Sequence, residues 1–402
     1  MVGLADIEHA RERIRGAVVE TPCRRTIWLS KLSGCEVYLK LESLQATGSF
    51  KERGALNRLL LLTDAERARG VISASAGNHA QGVAFHAGRL GIPATICMPE
   101  GTPLVKATST RAYGAHVVLH GANYDEAYEE ARRLQAHEGR VFVHPFDDDA
   151  VIAGQGTIGL ELLEQVPELD VAVLAVGGGG LIGGVALALK EKRPGVRVIG
   201  VEPSVIPSMQ ASLAAGKRVT VNAASTIADG IACRTVGERT LPLAQRYVDE
   251  VVTVDEEEIA SAILLLLERE KTVAEGAGAA PFAGLLHRRE ALAGKRVVLV
   301  LSGGNIDVNL IARIIERGLV KAGRLVRLVI KISDRPGSLA RLAAAIAEQR
   351  ANVIEIFHNR TSSRSALGEA LVEVTLETRG PDHVADLRRF LSERGYEVEQ
   401  EG

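Results

Sequence analysis

Thr47-Gly48-Ser49-Phe50-Lys51-Glu52-Arg53-Gly54-Ala55 joins a strand-like run, Val37-Tyr38-Leu39-Lys40-Leu41-Glu42, to a helix-like stretch over residues 51–62. Lys51 therefore closes a strand-to-helix loop, where a rigid scaffold can carry chemistry. A lysine amine forms a Schiff base with an aldehyde. Gly48 lets backbone come close, and Phe50 offers a flat face beside the amine. Taken alone, Lys51 reads more simply as a solvated residue at a helix start. Three glycine-rich segments downstream weigh against that simpler reading.

Beyond this segment the chain alternates short apolar runs with helical patterns. Val71-Ile72-Ser73-Ala74 runs into Ser75-Ala76-Gly77-Asn78-His79 and a helix through Leu90. Ala94-Thr95-Ile96-Cys97-Met98-Pro99, Ala115-His116-Val117-Val118-Leu119 and Arg140-Val141-Phe142-Val143-His144-Pro145 read as further strands. The alternation predicts an α/β fold with a mainly parallel, doubly wound sheet. Small residues before Gly77-Asn78-His79 leave backbone N–H groups free to meet an anion; the plain alternative is a turn with Asn78 left-handed.

Asp170-Val171-Ala172-Val173-Leu174-Ala175-Val176 then delivers Gly177, Gly178, Gly179 and Gly180 to a helix over residues 181–190. Such turns cradle phosphate, because N–H groups and the helix dipole converge there. Gly178, Gly180 and Gly183 also satisfy G-x-G-x-x-G. Glu202 ends the next strand about where a ribose-binding acid belongs, as in an NAD-dependent dehydrogenase. Against that rival stand the mid-chain position and the lysine and Gly-Asn-His segments it leaves unused.

At 402 residues the chain has room for two or three domains. It is 46% apolar and 24% charged with net charge −2, which gives no support for nucleic acid or an anionic membrane as partner. Cys23, Cys35, Cys97 and Cys233 are scattered, without a zinc or disulfide pattern. Residues 171–189 lack charge over 19 positions, but the glycines split them into a buried strand, a turn and a helix. The N-terminus alternates charge as an amphipathic helix and lacks a signal-peptide core, so the expected location is the cytoplasm.

Three later segments carry candidate residues. Ser225-Thr226-Ile227-Ala228-Asp229-Gly230-Ile231-Ala232 reads as a turn with Asp229 beside a pocket. In Val273-Ala274-Glu275-Gly276-Ala277-Gly278-Ala279-Ala280, read as a tightly packed helix, Glu275 is either a buried functional acid or a salt-bridge partner. The buried strand Arg296-Val297-Val298-Leu299-Val300-Leu301 ends in Ser302-Gly303-Gly304-Asn305. Residues 316–324, charged and containing Gly318 and Gly323, read as a linker. From 325 to 402 the predicted order is βαββαβ, a ferredoxin-like module.

Lys40-Leu41-Glu42, Gln45 and the Thr47–Ala55 segment resemble the lysine segment of the threonine dehydratases, over roughly residues 5–320. These are fold-type II pyridoxal phosphate enzymes. The resemblance implies a catalytic domain over 1–320, built of two doubly wound α/β subdomains, the smaller inserted at about 52–145. It implies that Lys51 holds pyridoxal 5'-phosphate through a Schiff base and then acts as general base. Phe50 lies beside the cofactor, Asn78 bonds its 3′-oxygen, Gly177–Gly180 hold its phosphate, and Ser302 meets the pyridine nitrogen. Ser75, Ala76, Gly77, Asn78 and His79 hold the substrate carboxylate. The expected reaction is elimination from L-threonine to 2-oxobutanoate and ammonia, and from L-serine to pyruvate.

Some relatives hold a cation with an acid at the Glu202 position and an aspartate six residues later, where this chain has Ser208. Asp334-Arg335-Pro336-Gly337-Ser338-Leu339 and the βαββαβ order resemble the amino-acid-sensing ACT domain; a plain dimerisation domain is the alternative. An effector is expected near Asp334, Gly337 and Asn352, with Pro336 in the first helical turn. Because 2-oxobutanoate feeds isoleucine synthesis, isoleucine or valine is the expected effector, and a homodimer or homotetramer the expected assembly. A serine racemase or dehydratase is the nearest alternative. Racemases of this group carry a second serine as opposite-face base where Ala76 stands here. A non-catalytic sensor is the remaining one.

Overall fold

A computed structural model describes residues 1–361 and 366–400, and the chain divides into two units, Met1–Ile306 and Asp307–Gly402. The first unit holds two sheets. Its six-stranded sheet runs in the order Cys23–Thr26, Glu36–Leu41, Arg296–Leu301, Val171–Ala175, Arg197–Pro203, Glu250–Val254. Only the pairing of Cys23–Thr26 with its neighbour is antiparallel. A four-stranded parallel sheet, His116–Leu119, Ala94–Met98, Val71–Ala74, Val141–Phe142, forms a smaller lobe.

Both sheets are buried through their middle strands. Val71–Ala74, Ala94–Met98 and Val171–Ala175 are buried at every position, as parallel strands covered on both faces must be. That is why these stretches read as continuous apolar runs. Behind the larger sheet, helices Asp149–Gln165 and Gly180–Lys192 cross very closely. A side chain at Gly184 would strike the carbonyl of Ile152, so small residues set this spacing.

Register decides where chemistry gathers. Leu41 pairs with Leu301, and Val173 with Leu299, so three parallel strands end at one edge of the sheet. The loops that leave that edge carry Lys51, Gly177–Gly180 and Ser302–Asn305. An isolated bridge between Ser49 and Gly303, with the Phe50 N–H donating to the Ser302 carbonyl at 3.0 Å, stitches two of these loops together.

Helix Lys51–Leu60 is anchored by its third residue. Arg53 is fully buried and donates in a fork to both oxygens of Glu42, each at 2.8 Å, and to Glu161 at 2.5 and 2.9 Å. Lys40, equally buried, donates to Glu161 at 2.5 Å and to the Thr21 carbonyl at 2.7 Å. Burial by itself would raise the Glu42 carboxyl; the Arg53 guanidinium outweighs it and holds that group below its ordinary value.

Three sequence expectations shift. The linker read at 316–324 is helical over most of its length, because helix Val308–Lys321 carries its apolar stripe through Gly318; the division lies at Ile306 instead. The helix read from Val273 starts only at Gly276, since the Glu275 N–H is turned onto the Gly303 carbonyl. Pro336 precedes the helix Ser338–Glu348 rather than opening it, and Gly337 caps that helix with φ +85°.

The second unit is an antiparallel sheet in the order Asn352–Asn359, Glu369–Glu377, Leu325–Ser333, Glu397–Gln400. Leu342, Ile346, Leu387 and Leu391 of its helices pack with Leu328, Ile330, Val372 and Val374 of its strands. Together with the element order this is the ferredoxin-like arrangement. Among the described residues, no helix of the chain is long and apolar enough to cross a membrane.

Replacing Arg53 by Met leaves Glu42 buried without its partner. The expected cost is about 3–5 kcal/mol in urea unfolding near pH 7. The wild-type Glu42 carboxyl, held low, contributes stability above its unfolded pKa that is lost as pH falls through the folded value. The gap between wild type and Arg53→Met should therefore narrow as pH falls below about 4.3, where the unfolded carboxyl takes its proton. A loss below about 1 kcal/mol, or one independent of pH, contradicts this assignment.

Candidate active site

Lys51, half-buried, opens its helix between the two sheets of the first unit. Its amine donates to the Pro145 carbonyl at 2.9 Å and lies 5.1 Å from the centre of the Phe50 ring. Burial drives the amine down from the ordinary lysine value to about 8; the nearby Cys233 and Glu275 act weakly the other way. A neutral, nucleophilic amine is therefore accessible close to physiological pH.

The next residue after Pro145 connects the lysine to the tetraglycine turn. A Cβ at Gly178 would collide with the Phe146 ring, and one at Gly180 would lie 3.0 Å from Phe146 backbone. Gly179 has φ +95°, a backbone region that favours glycine. The Gly178 carbonyl is held outward by the Thr240 hydroxyl at 2.6 Å and by the Gly237 N–H at 3.2 Å. Among the described residues, no acceptor meets the N–H groups of Gly178, Gly179 or Gly180 at the head of helix Gly180–Lys192. This is an anion cradle.

A second row of donors faces from the smaller lobe. Ser75 N–H is spent on the Cys97 carbonyl, and Gly77 N–H on the Ser75 hydroxyl at 3.3 Å. The N–H groups of Ala76, Asn78 and His79 have no acceptor among the described residues. The His79 side chain belongs elsewhere: it is buried, bonded to the Val143 carbonyl at 3.0 Å, and pushed down to about 3 chiefly by burial. Its ring is thus engaged within the smaller lobe, and its backbone N–H is the group left free for a ligand.

Ser302 is 2% exposed, and its hydroxyl has no hydrogen-bond partner among the described residues. The Ser49 hydroxyl is likewise buried and unpartnered. Glu275 is buried, with its carboxyl raised to about 7 by burial first and by Asp229 second. It accepts from Asn78 Nδ2 at 2.6 Å. Asp229 is exposed and reaches Lys106 of the smaller lobe at 2.5 Å. Glu202 takes the N–H groups of Met209 at 2.7 Å and Gln210 at 2.9 Å, so it caps helix Ser208–Ala215. Both of its oxygens are thus engaged, and among the described residues no group of three or more His, Cys, Asp or Glu is placed to hold a metal.

An amine of lowered pKa, a cradle of free N–H groups and a lone hydroxyl fit a pyridoxal phosphate group in donor chemistry. Arg53, Asn305, Thr240 and Pro145 were not singled out from sequence. Only for Arg53 was there a local cue, a charge two positions after Lys51 and so on the opposite side of the helix. In the second unit, Asp334 is paired with Arg360 at 2.8 Å and Asn352 leans on Glu377 at 3.4 Å. Neither is bonded to the Gly337 turn.

Residues 14–303 match the family model described as "Pyridoxal-phosphate dependent enzyme". The chain belongs to that family. It is 52% identical over 398 residues to an L-threonine ammonia-lyase of Thermotoga maritima, spanning 99% of each chain. Among solved structures it resembles the processed threonine deaminase isoform 2 of Solanum lycopersicum (38% identity, TM-score 0.74, 78% of this chain and 91% of that one). It also resembles maize serine racemase (35% identity, TM-score 0.75, 80% and 98%).

In the cofactor-free protein, labelling of Lys51 by a small amine-reactive reagent should show a midpoint near pH 8 when followed by peptide mass spectrometry. A midpoint at the ordinary lysine value of about 10.4 would mean that the amine is not desolvated.

Proposed function

We propose that this chain is a pyridoxal phosphate-dependent threonine ammonia-lyase, forming 2-oxobutanoate and ammonia from L-threonine and pyruvate from L-serine. What supports this is a desolvated Lys51 amine bonded to the Pro145 carbonyl, next to the Phe146 that packs on Gly178 and Gly180, together with two rows of free backbone N–H groups and a strand that ends in a hydroxyl, Ser302, rather than a carboxylate. One row suits a cofactor phosphate, the other a substrate carboxylate. The 52% identity to an L-threonine ammonia-lyase over nearly the whole chain supports the same substrate class.

When bound, the cofactor supplies an aldehyde that condenses with amines and a ring that draws electrons from the substrate's α-carbon. Lys51 Nζ would hold it, and Gly177, Gly178, Gly179 and Gly180 would bind its phosphate. Once the substrate's amine takes its place, Lys51 Nζ removes the α-proton, a task suited to an amine titrating near 8. The N–H groups of Ala76, Asn78 and His79 orient the carboxylate. Ser302 would offer the ring nitrogen a neutral hydroxyl rather than a carboxylic acid, which makes the ring a weaker electron sink and favours prompt loss of the β-hydroxyl. Ala76 carries no proton acceptor, which counts against a second base and so against the racemase alternative.

The ferredoxin-like second unit would sense a branched-chain amino acid, with isoleucine inhibitory, and would pair in a homo-oligomer. Unpaired cysteines at 23, 35, 97 and 233 fit a reducing cytoplasm.

Purified protein should show a visible absorption band that changes on adding threonine, and Lys51→Ala should lose the covalent link and at least about 10³-fold in kcat. A lysine–cofactor adduct found by mass spectrometry after borohydride reduction of Lys51→Ala would assign the role to another lysine. Isoleucine should alter threonine affinity roughly 5–150-fold in the full chain and not in a chain ending at Ile306. Equal responses, or none, remove the sensing role.

A further inference from the structure

Within the electrostatic reach of Lys51, four chain segments meet through side-chain amides. Asn78 Nδ2 donates to Glu275 Oε1 at 2.6 Å. Asn78 Oδ1 accepts from Asn305 Nδ2 at 2.7 Å, and the same Asn305 nitrogen donates to the Thr47 carbonyl at 2.7 Å. A carboxylate accepts and an amide nitrogen donates, so both ends of the Asn78 amide are assigned by their partners. Asn78 opens helix Asn78–Arg89 of the smaller lobe, whereas Glu275 and Asn305 stand on the larger one. The chain of bonds therefore ties the lobes together at the foot of the carboxylate-sized donor row.

Two glycines make room for it. A Cβ at Gly303 would collide with Glu275 Oε1 and lie 3.1 Å from Asn78 Nδ2. A Cβ at Gly48, where φ is +75°, would lie 2.5 Å from Asn305 Oδ1. Space, donors and acceptors are thus matched along the whole relay.

Resting on the lyase reading above, we propose that Glu275 is a positioning residue: with Asn305 it fixes the Asn78 amide and so holds the 75–79 donor row against Lys51. Glu275 acts through Asn78. The charged groups that face it are Lys51 from the lysine helix, Asp229 from the turn Asp229–Ile231 and Lys106 from helix Leu104–Ala112. A neutral glutamine keeps the acceptor oxygen and loses the charge, which separates positioning from a purely electrostatic role.

The test uses the full chain. Hydrogen exchange of residues 75–82 in cofactor-free protein should be roughly 10-fold faster in Glu275→Ala, Asn305→Ala and Gly303→Ala, and near wild type in Glu275→Gln. With cofactor, KM for threonine should rise roughly 10- to 100-fold in the same three variants, the scale of a lost bond to a charged group. It should rise less than about 3-fold in Glu275→Gln. Unchanged exchange in Glu275→Ala, or a Glu275→Gln as impaired as Glu275→Ala, overturns the proposal. Gly303→Ala judges the relay without removing a polar group should Glu275→Ala fail to fold. Wild-type protein without a cofactor absorption band would sink the lyase reading alone, since exchange in cofactor-free protein still judges the relay.

Discussion

The guanidinium of Arg53, fully buried and forked between Glu42 and Glu161, is the constraint on which the catalytic unit depends. Its two carboxylate partners come from distant stretches: Glu42 from just after strand Glu36–Leu41 and Glu161 from helix Asp149–Gln165. Desolvating such a group is unfavourable unless every donor is met, and here the fork and Lys40 together meet both carboxylates. Arg53 stands two residues after Lys51, about 200° around the helix. Anchoring one side chain downward therefore turns the other up into the cleft. Well-packed apolar residues could match the stability of the ion cluster. They could not aim the lysine with the same angular definition.

Above that anchor the site is built mostly from backbone. The donor rows at 76–79 and 178–180 sit at helix starts, where unsatisfied N–H groups and the helix dipole favour anions without placing a cation beside the reactive amine. The surroundings are kept neutral in the same spirit. His79 and His144 are pushed down to about 3 and 4, first by burial, and Ser302 provides a hydroxyl where a carboxylate would add charge. Lys51 thus meets little competing positive charge, and its own burial lowers its proton affinity.

The second unit follows a different economy. Its helices cover one face of an antiparallel sheet, and edge strand Asn352–Asn359 is exposed along its length, with Ile354 and Phe357 more than half exposed. The sensing role proposed for it would need differential contacts in two states rather than a maximally buried core. Asp334 and Asn352, the residues expected near an effector, are engaged by Arg360 and Glu377.

Local sequence was enough for the lysine loop, the tetraglycine turn, the alternation of strands and helices and the order of the C-terminal module. Each rests on short-range rules: glycine where backbone must bend or approach, continuous apolar runs where a parallel strand is covered on both faces, period-2 patterns at the end of the chain. Where local sequence left a role open, the fold assigned a contact: the His79 ring bonds the Val143 carbonyl while its backbone N–H stays free, and Glu202 caps a helix. What only the tertiary structure decided is partnership between residues far apart in the chain. Arg53 with Glu161, and Asn78 with Glu275, are separated by 108 and 197 positions. No local pattern marks such a pair, because the reason for it, a buried polar group needing a partner, exists only once the sheets have stacked and water has been excluded.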